Sequence, residues 1–144
     1  MAIKQISVFL ENRPGTLLKM TGALAARDID MRALSLAETK DFGIVRLIVD
    51  DVFKAVDALK EADFISSLTT VVGVMIPDEP GGLDKVLRVL ADARINVEYM
   101  YAFLGGARSD HAYMIFRVAD ARAAENALGG KGIRIVTQDE IADL

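Results

Sequence analysis

The sequence has no cysteine, no tryptophan, one histidine and three prolines among 144 residues. Without cysteine there is no disulfide framework, no thiolate-ligated zinc or iron–sulfur site and no thiol nucleophile. A lone His111 rules out a multi-histidine metal centre within one chain, and no credible Ser-His-Asp set or G-x-S-x-G motif exists. Positive charge is also short. The 17 Lys and Arg stand against 21 Asp and Glu for a net charge of −4, which argues against a phosphate-backbone binder. No stretch approaches the roughly 18 apolar residues of a membrane span, and residues Met1 to Leu10 do not read as a signal peptide. What is abundant is apolar character, 52% of the chain, enough to bury a core. The expectation is a cytoplasmic protein with no nucleic-acid or membrane partner and no cofactor or metal.

The chain repeats itself. A shift of 66 places Pro14-Gly15 on Pro80-Gly81, Leu17 on Leu83, Lys19 on Lys85, Leu24 on Leu90 and Ile29 on Ile95. Later the shift becomes 69, with Asp51 on Asp120, Ala55 on Ala124 and Leu59 on Leu128. The change implies a three-residue insertion in the second copy, near Gly105 to Asp110, where turn-rich sequence tolerates it. The copies are residues 1–68 and 69–144. No Gly/Ser-rich linker separates them, so they are expected to be fixed against each other.

Within each copy the hydrophobic period switches between two and 3.6. In the first copy strands are predicted over 3–10, 29–37, 44–49 and 64–68, with helices from Leu17 to about 27 and from Val52 to about 62. In the second, strands are predicted near 70–76, 95–104, 112–118 and 133–136, with helices near 82–93 and 121–128. The order β-α-β-β-α-β gives an α+β class: two tandem ferredoxin-like units, each an antiparallel sheet with helices on one face.

The loop Glu11-Asn12-Arg13-Pro14-Gly15-Thr16-Leu17 joins a strand to a helix. Proline suits the entry to a helix, glycine lets a ligand approach the backbone, and the helix start offers unpaired N–H groups with a positive dipole end. That combination suits a small anion such as an amino acid's carboxylate. Asn12 adds a donor and an acceptor.

Asn12-Arg13-Pro14-Gly15 with Leu17, then Asp30-Met31, then Val45 to Asp51, resembles an ACT domain. Asp78-Glu79-Pro80-Gly81-Gly82-Leu83 with Asn96-Val97 resembles a second, so the whole chain is similar to a tandem ACT protein without an attached enzyme. The resemblance implies a regulatory module that binds a free amino acid between two ACT repeats at the strand–helix loops. It implies contacts from Asn12, Gly15, Thr16 and Leu17, from Asp78, Gly81, Gly82 and Leu83, and from strand starts Asp30, Met31, Asn96 and Val97. Where some family loops have a histidine two residues before the asparagine, this chain has Leu10 and Ile76. If loops pair across copies, one site joins Asn12 to Asn96 and is neutral. The other joins Asp78 to Asp30 and repels a carboxylate, so the first is expected to bind more tightly. Leu17, Met31, Leu83 and Val97 favour an aliphatic or aromatic amino acid over a charged one. Any enzyme it regulates is expected to be a separate polypeptide.

Strand parity predicts a second surface. With Leu34, Leu36, Val45 and Leu47 facing the helices, Ala33, Arg46 and Ile48 face the other way. In the second copy the same register sends Tyr99, Tyr101, Phe103 and Tyr113 to that face, which is expected to pack sheet on sheet in a homodimer. The alternative function is a structural or assembly module that associates through this face, its pockets vestigial. No enzyme activity is expected, since paired carboxylates such as Asp50-Asp51 sit at a helix start where capping explains them.

Overall fold

The computed structural model describes residues 2–38, 40–103 and 111–143. The first repeat consists of β1 (Ile3–Glu11), α1 (Thr16–Ala25), β2 (Met31–Glu38), β3 (Phe42–Val49) and α2 (Val52–Glu61). Then comes β4 (Ile65–Pro77), which belongs to both repeats. The second continues with α3 (Gly82–Asp92), β5 (Tyr99–Ala102), β6 (His111–Arg117), α4 (Ala121–Gly129), β7 (Arg134–Val136) and α5 (Gln138–Asp143). The strands run β2-β3-β1-β4-β6-β5, with β7 also paired to β4, and every pairing is antiparallel. The expected insertion near 105–110 lies outside the described residues.

The strands predicted at 64–68 and 70–76 are one 13-residue strand. Its first half pairs with β1, from Ile65–Phe9 to Val71–Ile3, and its second half pairs with β6 and β7. The expected junction at Leu68-Thr69 therefore falls inside β4. Nothing between Ile65 and Val72 interrupts an extended backbone; no proline or glycine stands there to turn the chain.

Each sheet buries one face under its helices. Ile6, Val8, Val45 and Leu47 pack on Met20, Leu24, Ala55 and Leu59 in the first repeat. Val72, Val74, Ile76 and Phe116 pack on Val86, Leu90, Ala124 and Leu128 in the second. The other two faces meet each other. Ile3, Ala33 and Ile48 share a buried layer with Val71, Tyr101, Tyr113, Ile115 and Val136, with Met75, Tyr99 and Phe103 packed against it. A backbone bridge between Ala33 and Phe103 links the two outer edges of the sheet, rolling it into a barrel-like whole.

This corrects the expected docking face. Parity placed Tyr99, Tyr101, Phe103 and Tyr113 on the face away from the helices, and they are there. What packs against them is the first repeat of the same chain. Burying both apolar faces within one chain removes them from water without any association. The short helix α5 was not predicted. It closes one end of the layer with a fully buried Ile141. Arg32 Nη2 donates to the Ala142 carbonyl at 3.0 Å and the Lys4 amide to Gln138 Oε1 at 3.0 Å.

Candidate functional site

The starts of the four longer helices fall into two kinds. α2 and α4 are capped by their own aspartates: Asp51 accepts from the Lys54 amide and Asp120 from the Ala123 amide. α1 and α3 begin instead on Gly15 and Gly81, both with φ of 88°, and neither has a side-chain cap. That left-handed conformation is the reason for glycine at both positions. The first amide of each helix is tied back to its own loop, Thr16 to the Arg13 carbonyl at 3.4 Å and Gly82 to the Glu79 carbonyl at 3.1 Å. The next amides have no side-chain cap and keep the positive dipole end.

At α1 this bare helix start opens onto a cleft of about 600 Å3. Arg13, Pro14, Gly15, Thr16 and Lys19 form one wall. The turn after α2 forms the other, through Ala62, Asp63, Phe64 and Ile65, with Phe9, Glu11 and Phe42 at the rim. The cleft thus offers two cations, Arg13 and Lys19, and two carboxylates, Glu11 and Asp63, around aromatic surface. Arg13 Nε pairs with Glu11 at 3.0 Å, and the Lys19 ammonium lies over the Phe64 ring, 5.6 Å from its centroid. Asp63 holds a left-handed φ of 65° just past α2, and it lines the cleft next to Phe64. A zwitterion with an apolar side chain is the chemical match to such a lining.

The predicted residues distribute unevenly. Gly15 and Thr16 line the cleft. Asn12 borders the loop but turns to its own hairpin, with Nδ2 donating to Glu38 Oε2 at 3.0 Å and to the Lys40 carbonyl at 3.5 Å. Leu17 is exposed on α1. Asp30 sits at the other end of the repeat, where its amide donates to Asp50 and its carboxylate pairs with Arg32 at 3.1 Å. Met31 packs on the helix-side core of the first repeat, and Leu83 and Val97 on that of the second. Gly82 is required by packing: a Cβ there would lie 2.6 Å from the Pro77 carbonyl oxygen. Asp78 and Gly81 repeat the first-loop geometry, while Asn96 and Val97 lie on the approach to β5 and do not line the first cleft. The second cleft wall, Asp63 and Phe64 with Lys19 opposite, was missed. The recurrence of Lys19 as Lys85 was the available signal.

Gly129 to Gly132 end α4 and turn into β7, with the Ile133 amide bonded back to the Leu128 carbonyl. Among the described residues no group of three or more His, Cys, Asp or Glu could hold a metal, and no helix is long and apolar enough to cross a membrane.

Two ferredoxin-like units, fused through one strand and each opening a helix on an uncapped Pro-Gly turn, define a paired regulatory module of the ACT type. Residues 1–144 match the family model described as ACT domain pair, and the chain belongs to that family. It is similar to protein BT0572 from Bacteroides thetaiotaomicron, with 38% identity and a TM-score of 0.92 over 100% of this chain and 98% of that one. The fold is shared with the ligand-free regulatory subunit of aspartate kinase from Thermus thermophilus, at 22% identity and TM-score 0.65 over 90% and 93% of the two chains. The regulatory subunit of aspartate kinase from Thermus flavus matches at 20% identity and TM-score 0.59 over 90% and 92%. Comparison with curated proteins found no match.

Proposed function

We propose that the chain is a non-catalytic regulatory protein that binds a free aliphatic or aromatic amino acid at the start of α1. The observation that carries this reading is the contrast between helix starts. α2 and α4 fill theirs with aspartate, whereas α1 has no side-chain cap beside a cleft with both charge signs. The amino acid's carboxylate meets the Leu17 and Leu18 amides and the Lys19 ammonium; its ammonium meets Asp63 or Glu11; its side chain lies on Phe64 and Phe42.

The described cleft is walled by the first repeat alone. A second copy completes it in this reading, since Phe42 at its rim and Ile65 in its wall are largely exposed, at 58% and 72%. The signal then passes to a separate enzyme in the cytoplasm through the way a ligand changes that docking. The assembly-module alternative is less favoured, because the aromatic face it requires is occupied within the chain.

The test is thermal unfolding against each of the twenty amino acids. A ligand present at about 100 times its Kd adds about 2.7 kcal/mol of stability. The expected result is an upward shift for an aliphatic or aromatic subset, absent in Lys19→Ala. No shift for any amino acid contradicts the reading.

A further inference from the structure

Ser67, Ser7, Arg46 and Ser35 form one row across β4, β1, β3 and β2, on the sheet face turned toward the second repeat. Adjacent members of such a row have Cβ atoms about 4.5–5.5 Å apart. The second repeat supplies an internal control. The repeat shifts place Val136, Gly73, Ile115 and Tyr101 at the equivalent positions, and these are paired in the same way. Val136, Ile115 and Tyr101 belong to the buried apolar layer. Packing between the sheets is therefore satisfied by apolar side chains, yet the first repeat places three hydroxyls and a guanidinium there.

Arg46 is held in place without an acid. Its Cζ lies 3.8 Å from the centroid of the Tyr99 ring, and no hydrogen bond or ion pair joins it to another described residue. The other strand arginines are engaged: Arg117 Nη1 donates to the Thr70 carbonyl and Arg32 pairs with Asp30. The ring beneath Arg46 is itself clamped. Gln5 Nε2 donates to the Tyr99 hydroxyl at 2.8 Å, and the Tyr101 hydroxyl donates to Gln5 Oε1 at 2.7 Å. Stacking fixes the plane of the guanidinium and leaves its in-plane N–H fork for a ligand.

The row lies where the cover of the second sheet ends. Along the inward face of β1, exposure rises from 0% at Gln5 to 8% at Ser7 and 46% at Phe9. The opposite end of the layer is closed by α5, which follows β7. The equivalent strand of the first repeat runs straight on as the second half of β4, so no helix follows it. The next row outward is Ile65, Phe9, Ile44 and Ala37, an apolar lip. No Asp or Glu stands in either row, so an ammonium group would find no partner there.

We propose that Arg46, with the hydroxyls of Ser7, Ser35 and Ser67, binds the carboxylate of a small organic acid that has an apolar body and no amino group. A branched 2-oxo acid is the type, its body on Phe9, Ile44 and Ala37. The site is separate from the cleft at α1, although Phe9 and Ile65 border both, and it takes the acid whose amine the other cleft requires.

The test is calorimetric titration of the full chain with 4-methyl-2-oxopentanoate, leucine and inorganic phosphate, for wild type and Arg46→Ile. The expected result is binding of the oxo acid at about millimolar affinity or tighter. Arg46→Ile, which copies Ile115, stays folded with an undiminished melting temperature and binds the oxo acid about tenfold or more weakly, through loss of the charge-assisted pair. Its response to leucine is unchanged. Absence of oxo-acid binding to wild type, unchanged affinity in Arg46→Ile, or tighter binding of phosphate than of the oxo acid overturns the proposal. If Arg46→Ile does not fold, Arg46→Lys and Ser35→Ala decide: weakened binding in both supports the site, and unchanged affinity in both overturns it.

Discussion

At equivalent positions of the two repeats Asp63 stands where Gly132 stands, Arg46 where Ile115 stands and Ser7 where Gly73 stands. The backbone barely notices: φ is 65° at Asp63 and 77° at Gly132. The β pairings around Arg46 and Ile115 also correspond. The differences are chemical, and in each case the first repeat carries the polar member. Ser7 has a structural tie, accepting from Gln5 Nε2 at 3.0 Å, whereas no hydrogen bond or ion pair accounts for Arg46 where the second repeat makes do with Ile115. Charge beside a helix start without a side-chain cap, and a guanidinium without an acid, are the features on which the two proposed sites rest.

The comparison can be broken at several points. The largest effect is expected at the closed end of the sheet layer. Ile141→Ala removes the side chain that α5 buries there and costs about 2–5 kcal/mol, read as a lower denaturation midpoint. The matching end of the first repeat has no such helix, so substitutions of exposed Ser67 should leave the midpoint nearly unmoved. Next comes Gly73. A Cβ there lies 2.4 Å from Ile3 Cδ1 and 3.5 Å from Val136 Cβ, so Gly73→Val overpacks the layer and costs about 1–3 kcal/mol. Ser7→Val at the equivalent place should cost less.

Tyr101→Phe leaves the buried Gln5 oxygen without its donor and costs about 1–2 kcal/mol. Burial, with Tyr99 nearby, pushes the Tyr101 phenol up from its ordinary 10.0, the Arg46 charge opposing. A phenol whose folded pKa is raised contributes stability that is intact below the unfolded value. That stability is lost as pH rises past it toward the folded value. Wild type is therefore expected to lose stability above pH 10, and Tyr101→Phe to lose less, as measured by chemical denaturation across alkaline pH. The smallest effect belongs to Asp63→Gly. It copies Gly132, relieves a left-handed aspartate and gains up to about 1 kcal/mol. It also removes a carboxylate from the cleft, so higher stability with weaker amino-acid binding is the expected pair of results.

The fold was legible because period-two and period-3.6 patterns are local, and because two copies in register reinforced each other. Parity even placed Tyr99, Tyr101, Phe103 and Tyr113 on the right face. What covers that face is a long-range fact, and alternation along one strand cannot say whether its partner is another molecule or the preceding repeat. The continuity of β4 was hidden for a similar reason: Ile65–Pro77 alternates well in both halves, and two complete units invited a break at the join. α5 did leave a local sign, since Thr137 and Glu140 form a capping pair with the Glu140 amide donating to Thr137 Oγ1 at 3.3 Å. The lining of the candidate cleft was half legible. Pro-Gly marked Gly15 and Thr16, but the opposing wall from the turn after α2 depends on tertiary packing that no spacing within the loop encodes.

The central claim is that the first repeat, not the second, holds the amino acid. Calorimetric titration of the amino acid with the largest thermal shift, into Asn12→Ala and Asp78→Ala separately, tests it most directly. Loss of the Asn12 tie to Glu38 and Lys40 loosens the first loop. The expected result is about tenfold weaker binding for Asn12→Ala, about the worth of one hydrogen bond, with Asp78→Ala close to wild type. Equal loss in the two variants would contradict the account.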